Sequence, residues 1–251
     1  MKLTRPVLYL FVISVTSFSL ACSDDESQPV ASEEGVAIPD DVLRRYIKET
    51  LEIDDADPVT EAAMLELTEL TVKGSDAVEM TNLTGLEHAE NLRYLDFGEA
   101  SVTDLSPLSN LERVEYLRLN DTEISDLSPL SSYTTLTYFN ANAASNITDI
   151  SPLAGNTGLK EIILREVPVG NQGLQTIANF TELYRINLRS TGVTDISILG
   201  DLMAQGALLD STPGAAEEGG ADLDLRDLEI VDWSPIEPYL DQITTIEGYE
   251  P

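Results

Sequence analysis

The chain has 251 residues, of which 45 are acidic and 14 basic, with one histidine and one cysteine, for a net charge of −31. A surface this acidic is repelled by nucleic acid and by anionic lipid headgroups, which excludes those partners. One His and one Cys leave no cluster for a zinc site and no internal disulfide.

Residues 1–21 open with Lys2 and Arg5, followed by an apolar run from Val7 to Leu20 that is too short for a comfortable membrane span. The run ends in FSLAC, with Cys22 the lone cysteine. Small and apolar residues directly before a Cys resemble the lipobox of bacterial lipoproteins, although Ser19 stands where Leu is commonest. That resemblance implies removal of the signal peptide 1–21 and acylation of Cys22, which anchors the chain to a membrane by lipid. Ser23, Asp24, Asp25 and Glu26 resemble the export signal that sends some Bacteroidota lipoproteins to the outer face of the outer membrane. A place in the bacterial cell envelope, at the outer membrane, follows by resemblance; surface-exposed and periplasm-facing orientations both stay open. From Cys22 to residue 36 the chain is acidic, small and nearly free of large apolar residues, and is expected to form a flexible tether.

Residues 37–66 change character. IPDDVLRRYIKETLEI places Val42, Leu43, Tyr46, Ile47 and Leu51 at helical spacing, with Asp40 or Asp41 able to cap the start. A second short helix is expected from Thr60. Together they would form a helical N-terminal cap over an end that would otherwise expose a slab of apolar side chains.

From residue 64 to 250 the chain repeats. VTDLSPL (102–108) returns as ISDLSPL (124–130), ITDISPL (147–153), VTDISIL (193–199) and IVDWSPI (230–236). The turns begin near Met64, Ala89, Leu111, Tyr133, Asn156, Phe180 and Leu202, with lengths between 22 and 25 residues. A fixed period in this range marks a solenoid. The pattern, fullest in LERVEYLRLNDTEISDLSPLSS (111–132), resembles the leucine-rich repeats of the internalin-like type, and the preceding helical segment resembles the cap found before such repeats in many bacterial surface proteins. The fold implied is an α/β solenoid: a horseshoe or arc with a parallel concave β-sheet and short 3-10 or irregular turns on its convex side. Three departures stand out. VPVGNQGLQTI replaces the Asp-Ile-Ser-Pro segment in the turn starting at Asn156; Ala100, Thr122, Val167 and Thr191 occupy the asparagine position; and an acidic, Gly-rich loop enters at 210–222.

Each recurring Asp (104, 126, 149, 195, 232) precedes an apolar-Ser step, Pro following in all but one copy. A carboxylate there can accept backbone N–H groups free at the start of a helical turn, so repetition points to scaffolding rather than to calcium or acid–base chemistry. The outward strand positions, where the repeats differ, fall in three columns. One carries Tyr94, Tyr116 and Tyr138, then Glu161 and Arg185; the second includes Asp96, Arg118, Asn140 and Asn187; the third includes Lys73, Arg165, Arg189 and Arg226. Tyr and Arg are enriched at binding hot spots. The expected partner-binding residues are Tyr94, Tyr116, Arg118, Tyr138, Asn140, Arg165, Arg185 and Arg189.

No catalytic constellation is visible. His88 is the only histidine and stands at a repeat boundary beside Glu87, and GAAEEGG (214–220) lacks the Lys and Thr of a phosphate loop. Neither a cofactor nor a metal is expected. The function expected is recognition without turnover, by a monomer that binds a macromolecule through the concave face. By resemblance to internalin-like proteins the partner is a protein; a glycan, or a structural role with no specific ligand, are the alternatives.

Overall fold

The computed structural model describes residues 35–250. The signal segment, Cys22 and nearly all of the tether lie outside that range. Within it, helix α1 (Asp41–Thr50) and the single-turn helix α2 (Glu61–Met64) precede strand β1 (Glu69–Thr71), and helix α3 (Ser75–Glu79) follows it. Six further strands then recur once per repeat, each three residues long: β2 (Tyr94–Asp96), β3 (Tyr116–Arg118), β4 (Tyr138–Asn140), β5 (Glu161–Ile163), β6 (Arg185–Asn187) and β7 (Asp222–Asp224). Helices α4 (Gly170–Thr176) and α5 (Ser197–Ala204) follow β5 and β6, and β8 (Thr245–Glu247) closes the series. All eight strands form one parallel sheet in strict chain order. This is a leucine-rich-repeat solenoid, as the period predicts.

The register explains the period. The middle residues Leu70, Leu95, Leu117, Phe139, Ile162, Ile186, Leu223 and Ile246 stand opposite one another across the sheet. The first seven are buried, whereas Ile246 on the last strand is only partly covered. Side chains alternate across a strand, so a three-residue strand sends one side chain in and two out. Leucine-rich positions of the connecting turns complete a single continuous core.

The Asp of each DLSPL-type segment does what its position suggests. Asp104, Asp126, Asp149, Asp195 and Asp232 each accept a hydrogen bond from the backbone N–H of the Ser two residues on, at 2.8–3.0 Å. In four copies this Ser–N–H contact and the Ser hydroxyl hold the carboxyl below its usual range. Where Pro follows the Ser at 106, 128 and 151, the turn is a short 3-10 helix. At 197 the next residue is Ile198, and the segment continues as α5 for eight residues.

Two irregular features have local causes. After the strands, Glu99, Asp121, Ala143, Glu166, Ser190 and Asp227 all have a left-handed backbone (φ 56–69°) although none is glycine. That conformation costs about 1–2 kcal/mol for an L-residue. In the first five the residue's own N–H donates to a carbonyl of the next repeat, as Glu99 does to Asn120 at 2.7 Å. The missing asparagine ladder is replaced in part by threonine. Thr122 and Thr191 donate their hydroxyls to Leu119 and Leu188 carbonyls at 2.8 and 2.6 Å.

The segment 37–66 contains the helices its pattern suggests. Asp40 caps α1, accepting from the Val42 and Leu43 N–H groups at 3.0 Å, and its other carboxylate oxygen accepts from the Thr81 and Asn82 N–H groups. Leu43 and Ile47 are fully buried, and α1 packs against β1. The stretch 210–222 contains a 3-10 turn, Ala215–Glu218, and is tied down by Asp210, whose carboxylate accepts from the Ala221 and Thr244 N–H groups at 2.8 and 2.9 Å.

Candidate functional site on the concave sheet face

The tyrosine column begins as sequence: Tyr-Leu-Asp, Tyr-Leu-Arg and Tyr-Phe-Asn on three consecutive strands. In-register pairing sets Tyr94 opposite Tyr116 and Tyr116 opposite Tyr138. Their rings stack face to face, with centroids 4.0 and 4.1 Å apart and planes within 11° and 4° of parallel. The inner ring faces are therefore covered by one another. What the column presents to a partner is ring edge, hydroxyl and the outer ring faces at its two ends. Burial pushes the Tyr116 hydroxyl well above the usual tyrosine range, reinforced by its two tyrosine neighbours, so it remains a donor at any physiological pH. The Tyr138 hydroxyl accepts from Asn140 Nδ2 at 3.0 Å, which leaves its own proton to donate outward.

Asn140 also has a structural task. Its Oδ1 accepts from the Asn142 N–H at 2.9 Å, and Asp96, Asn187 and Asp224 make the same turn with the residues two positions on. The close approach continues beside it: a Cβ on Gly98 would stand 2.1 Å from Asn120 Oδ1, so the buried Asn120 side chain depends on glycine there.

All five concave arginines are engaged by acids of the same chain. Arg118 meets Asp96 at 3.4 Å, Arg165 meets Glu166 at 2.8 Å and Arg189 meets Asp227 at 2.6 Å. Arg185 donates to Glu161 at 2.7 Å, and its Nε lies 3.4 Å from Asp222 without hydrogen-bond geometry. Tyr184 adds a hydroxyl to the same Glu161 at 3.0 Å. Arg226 grips Asp224 through Nε and Nη2 at 2.9 and 2.7 Å and reaches Glu247 at 2.6 Å. Burial opposes ionisation of Asp224, but Arg226 and Asn187 outweigh it and hold the carboxyl below its ordinary range. Around these pairs lies a shallow depression of about 260 Å³ lined by Ile163, Arg185, Asn187, Asp224, Arg226 and Glu247 among others.

The expected site residues thus share one face but divide in two. Tyr94, Tyr116, Tyr138, Arg118 and Asn140 sit on β2–β4, while Arg165, Arg185 and Arg189 belong to the repeats of β5 and β6. The bases at the outward strand positions have acidic counterparts on the same face. The two outward positions of the eight strands, with the position two residues past each strand, carry six acids (Glu69, Asp96, Glu161, Asp222, Asp224, Glu247) and six bases (Lys73, Arg118, Arg165, Arg185, Arg189, Arg226). Residues 35–250 contain 40 acids and 12 bases, so 34 acids and six bases stand elsewhere. The concave face is electrically balanced, and the excess negative charge lies off it. Counting acids beside bases down each column, not bases alone, is the sequence signal that finds this.

The lone histidine, His88, lies 3.6 Å from Glu61, at the contact between the α2 turn and the Leu86–His88 3-10 turn. Among the described residues no group of three or more His, Cys, Asp or Glu side chains is placed to hold a metal ion.

Comparison with solved structures agrees with this architecture. The chain is similar in fold to internalin C2 from Listeria monocytogenes, with a TM-score of 0.69, 24% identity and coverage of 81% of this chain and 84% of that one. It is also similar to an internalin, inlF, from the same organism, with a TM-score of 0.61, 28% identity and coverage of 83% and 68%. No family model and no curated protein matches the chain.

Proposed function

We propose that this is a non-enzymatic lipoprotein of the bacterial cell envelope that binds a protein partner through the concave face of its repeats. The observation that carries the reading is the Tyr94–Tyr116–Tyr138 stack, fixed on three rigid strands and flanked by side chains already oriented by neighbours. Preordered contacts lose little entropy on association, and tyrosine supplies large contact area with only two side-chain torsions. The likeness in fold to internalins supports a scaffold for protein interaction. The stack also favours protein over glycan. A sugar ring packs on an open aromatic face, and four of the six faces here are closed by stacking at about 4 Å.

The test uses the full chain as bait for envelope and culture proteins, beside a variant with Tyr94, Tyr116 and Tyr138 all changed to Ala. A specific partner is expected to bind the variant at least about 30-fold more weakly, since a hot-spot residue contributes about 2 kcal/mol. A partner held equally by both would sink the proposal, and saturable capture of an oligosaccharide on a glycan array would replace it.

Anchoring is the second part of the proposal, and it rests on FSLAC followed by SDDE at 23–26. Metabolic labelling with a fatty-acid analogue is expected to mark the wild-type chain and to leave Cys22→Ser unlabelled. Label retained by Cys22→Ser would remove the lipid anchor from that position. Protease shaving of intact cells then separates an outward-facing domain from a periplasmic one at the outer membrane.

A further inference from the structure

Among the charged residues of the concave columns, Glu69 and Lys73, both in the first repeat, have no ion pair among the described residues. Asp96, Glu161, Asp222, Asp224 and Glu247 are all paired with arginines, whereas the Glu69 carboxylate makes no hydrogen bond or ion pair among the described residues and the residue is exposed. Glu69 is also the register neighbour of Tyr94, at the β1 end of the tyrosine column. Tyr116 covers one face of the Tyr94 ring at 4.0 Å, so the other face is turned toward β1. The only cation over a tyrosine ring among the described residues is Arg45 on Tyr46, elsewhere in the molecule. An aromatic face beside a free carboxylate is a receptor for a side-chain cation: the ring quadrupole and the carboxylate both attract it, by separate mechanisms.

We infer that Tyr94 and Glu69 together clamp an arginine or lysine side chain of the protein partner. This deepens the concave-face reading and rests on it. The partner's own chemistry is narrowed accordingly: it is a polypeptide presenting a basic side chain at the first-strand end of its footprint and uncharged groups over Tyr116 and Tyr138. The 34 acids against six bases off the concave face supply a long-range field that draws such a partner in. The concave arginines do not compete for Glu69, because each is already held by an acid of its own neighbourhood.

The test titrates the full chain with N-acetyl-arginine amide and, separately, with its uncharged isostere N-acetyl-citrulline amide, reading tyrosine ring resonances by NMR. Arginine amide is expected to shift Tyr94 most, and Glu69→Gln is expected to weaken that binding about threefold or more. Citrulline is expected to leave the rings unmoved. Equal response to both probes, or an unchanged affinity in Glu69→Gln, overturns the clamp. The protein partner captured above provides the second arm. If Glu69→Gln binds it like wild type while the triple tyrosine variant loses it, the clamp is wrong and the concave-face reading stands. If the triple variant also keeps it, both fall.

Discussion

Replacing Phe139 by Ala is expected to remove about 3–5 kcal/mol of stability. Phe139 is the inward residue of β4, fully buried, and stands in register between Leu117 and Ile162. It is one of the largest side chains in the core. Its neighbours come from adjacent turns whose backbones are fixed by the sheet ladder, so they can close only part of the space left by a phenyl ring. The cost therefore combines lost transfer energy with a residual cavity. Urea unfolding would check it as a fall in midpoint at nearly unchanged slope. A loss below about 1 kcal/mol would mean that the site collapses freely, which is inconsistent with a rigid stack of repeats. The variant also links core to surface. Tyr138 and Asn140 flank Phe139 on the same strand, so loosening of β4 is expected to broaden the near-ultraviolet tyrosine signal before global unfolding.

The second expectation concerns charge. Arg185→Met is expected to cost about 2 kcal/mol, and Glu161→Gln introduced beside it is expected to recover part of that loss. Removing one partner from a buried pair costs about 3–5 kcal/mol. The lower figure applies because the Arg185 side chain is 28% exposed, although Glu161 is only 13% exposed. Without the guanidinium, Glu161 and Asp222 would be left without the charge that bridges them, and Tyr184 alone would donate to Glu161. The measurable quantity is the coupling energy of the double-mutant cycle, expected at about 1 kcal/mol or more for groups in direct contact. A coupling near zero would show that the network is electrostatically idle. In either case Arg185 offers a partner an oriented, already neutralised surface and not a free positive charge.

Much of this was legible in the chain because the repeats are regular. The period sets the strand register, and the register sets the columns, so the sequence alone aligns Tyr94, Tyr116 and Tyr138. The DLSPL-type segments were readable as scaffold for the same reason: one Asp, one structural position, one hydrogen bond. The remainder depends on distances that a pattern does not encode. Adjacent tyrosines can splay or stack, and only the 4 Å separations show that their faces are closed. The left-handed residues were hidden because Glu, Asp, Ala and Ser stand where Gly or Asn is favoured, and it is the ladder bond to the next repeat that holds them there. The pairing of the arginines follows no one rule: Arg118 and Arg185 meet acids of their own columns, Arg165 meets its chain neighbour Glu166, and Arg189 and Arg226 reach acids of other columns or repeats, so only distances select the partner.

The position of β2–β4 within the sheet has a further bearing on how the protein withstands thermal fluctuation. Each repeat touches only its neighbours, so opening begins at the ends and travels inward. Ile246 is partly exposed on the last strand, whereas Leu70 on the first is buried and β1 is packed against α1. Fraying is therefore easiest from β8, and it must unzip β7, β6 and β5 before it reaches Tyr138. The ion-paired half of the sheet serves as a sacrificial length. It can breathe on its own timescale while the aromatic recognition surface stays assembled and ready.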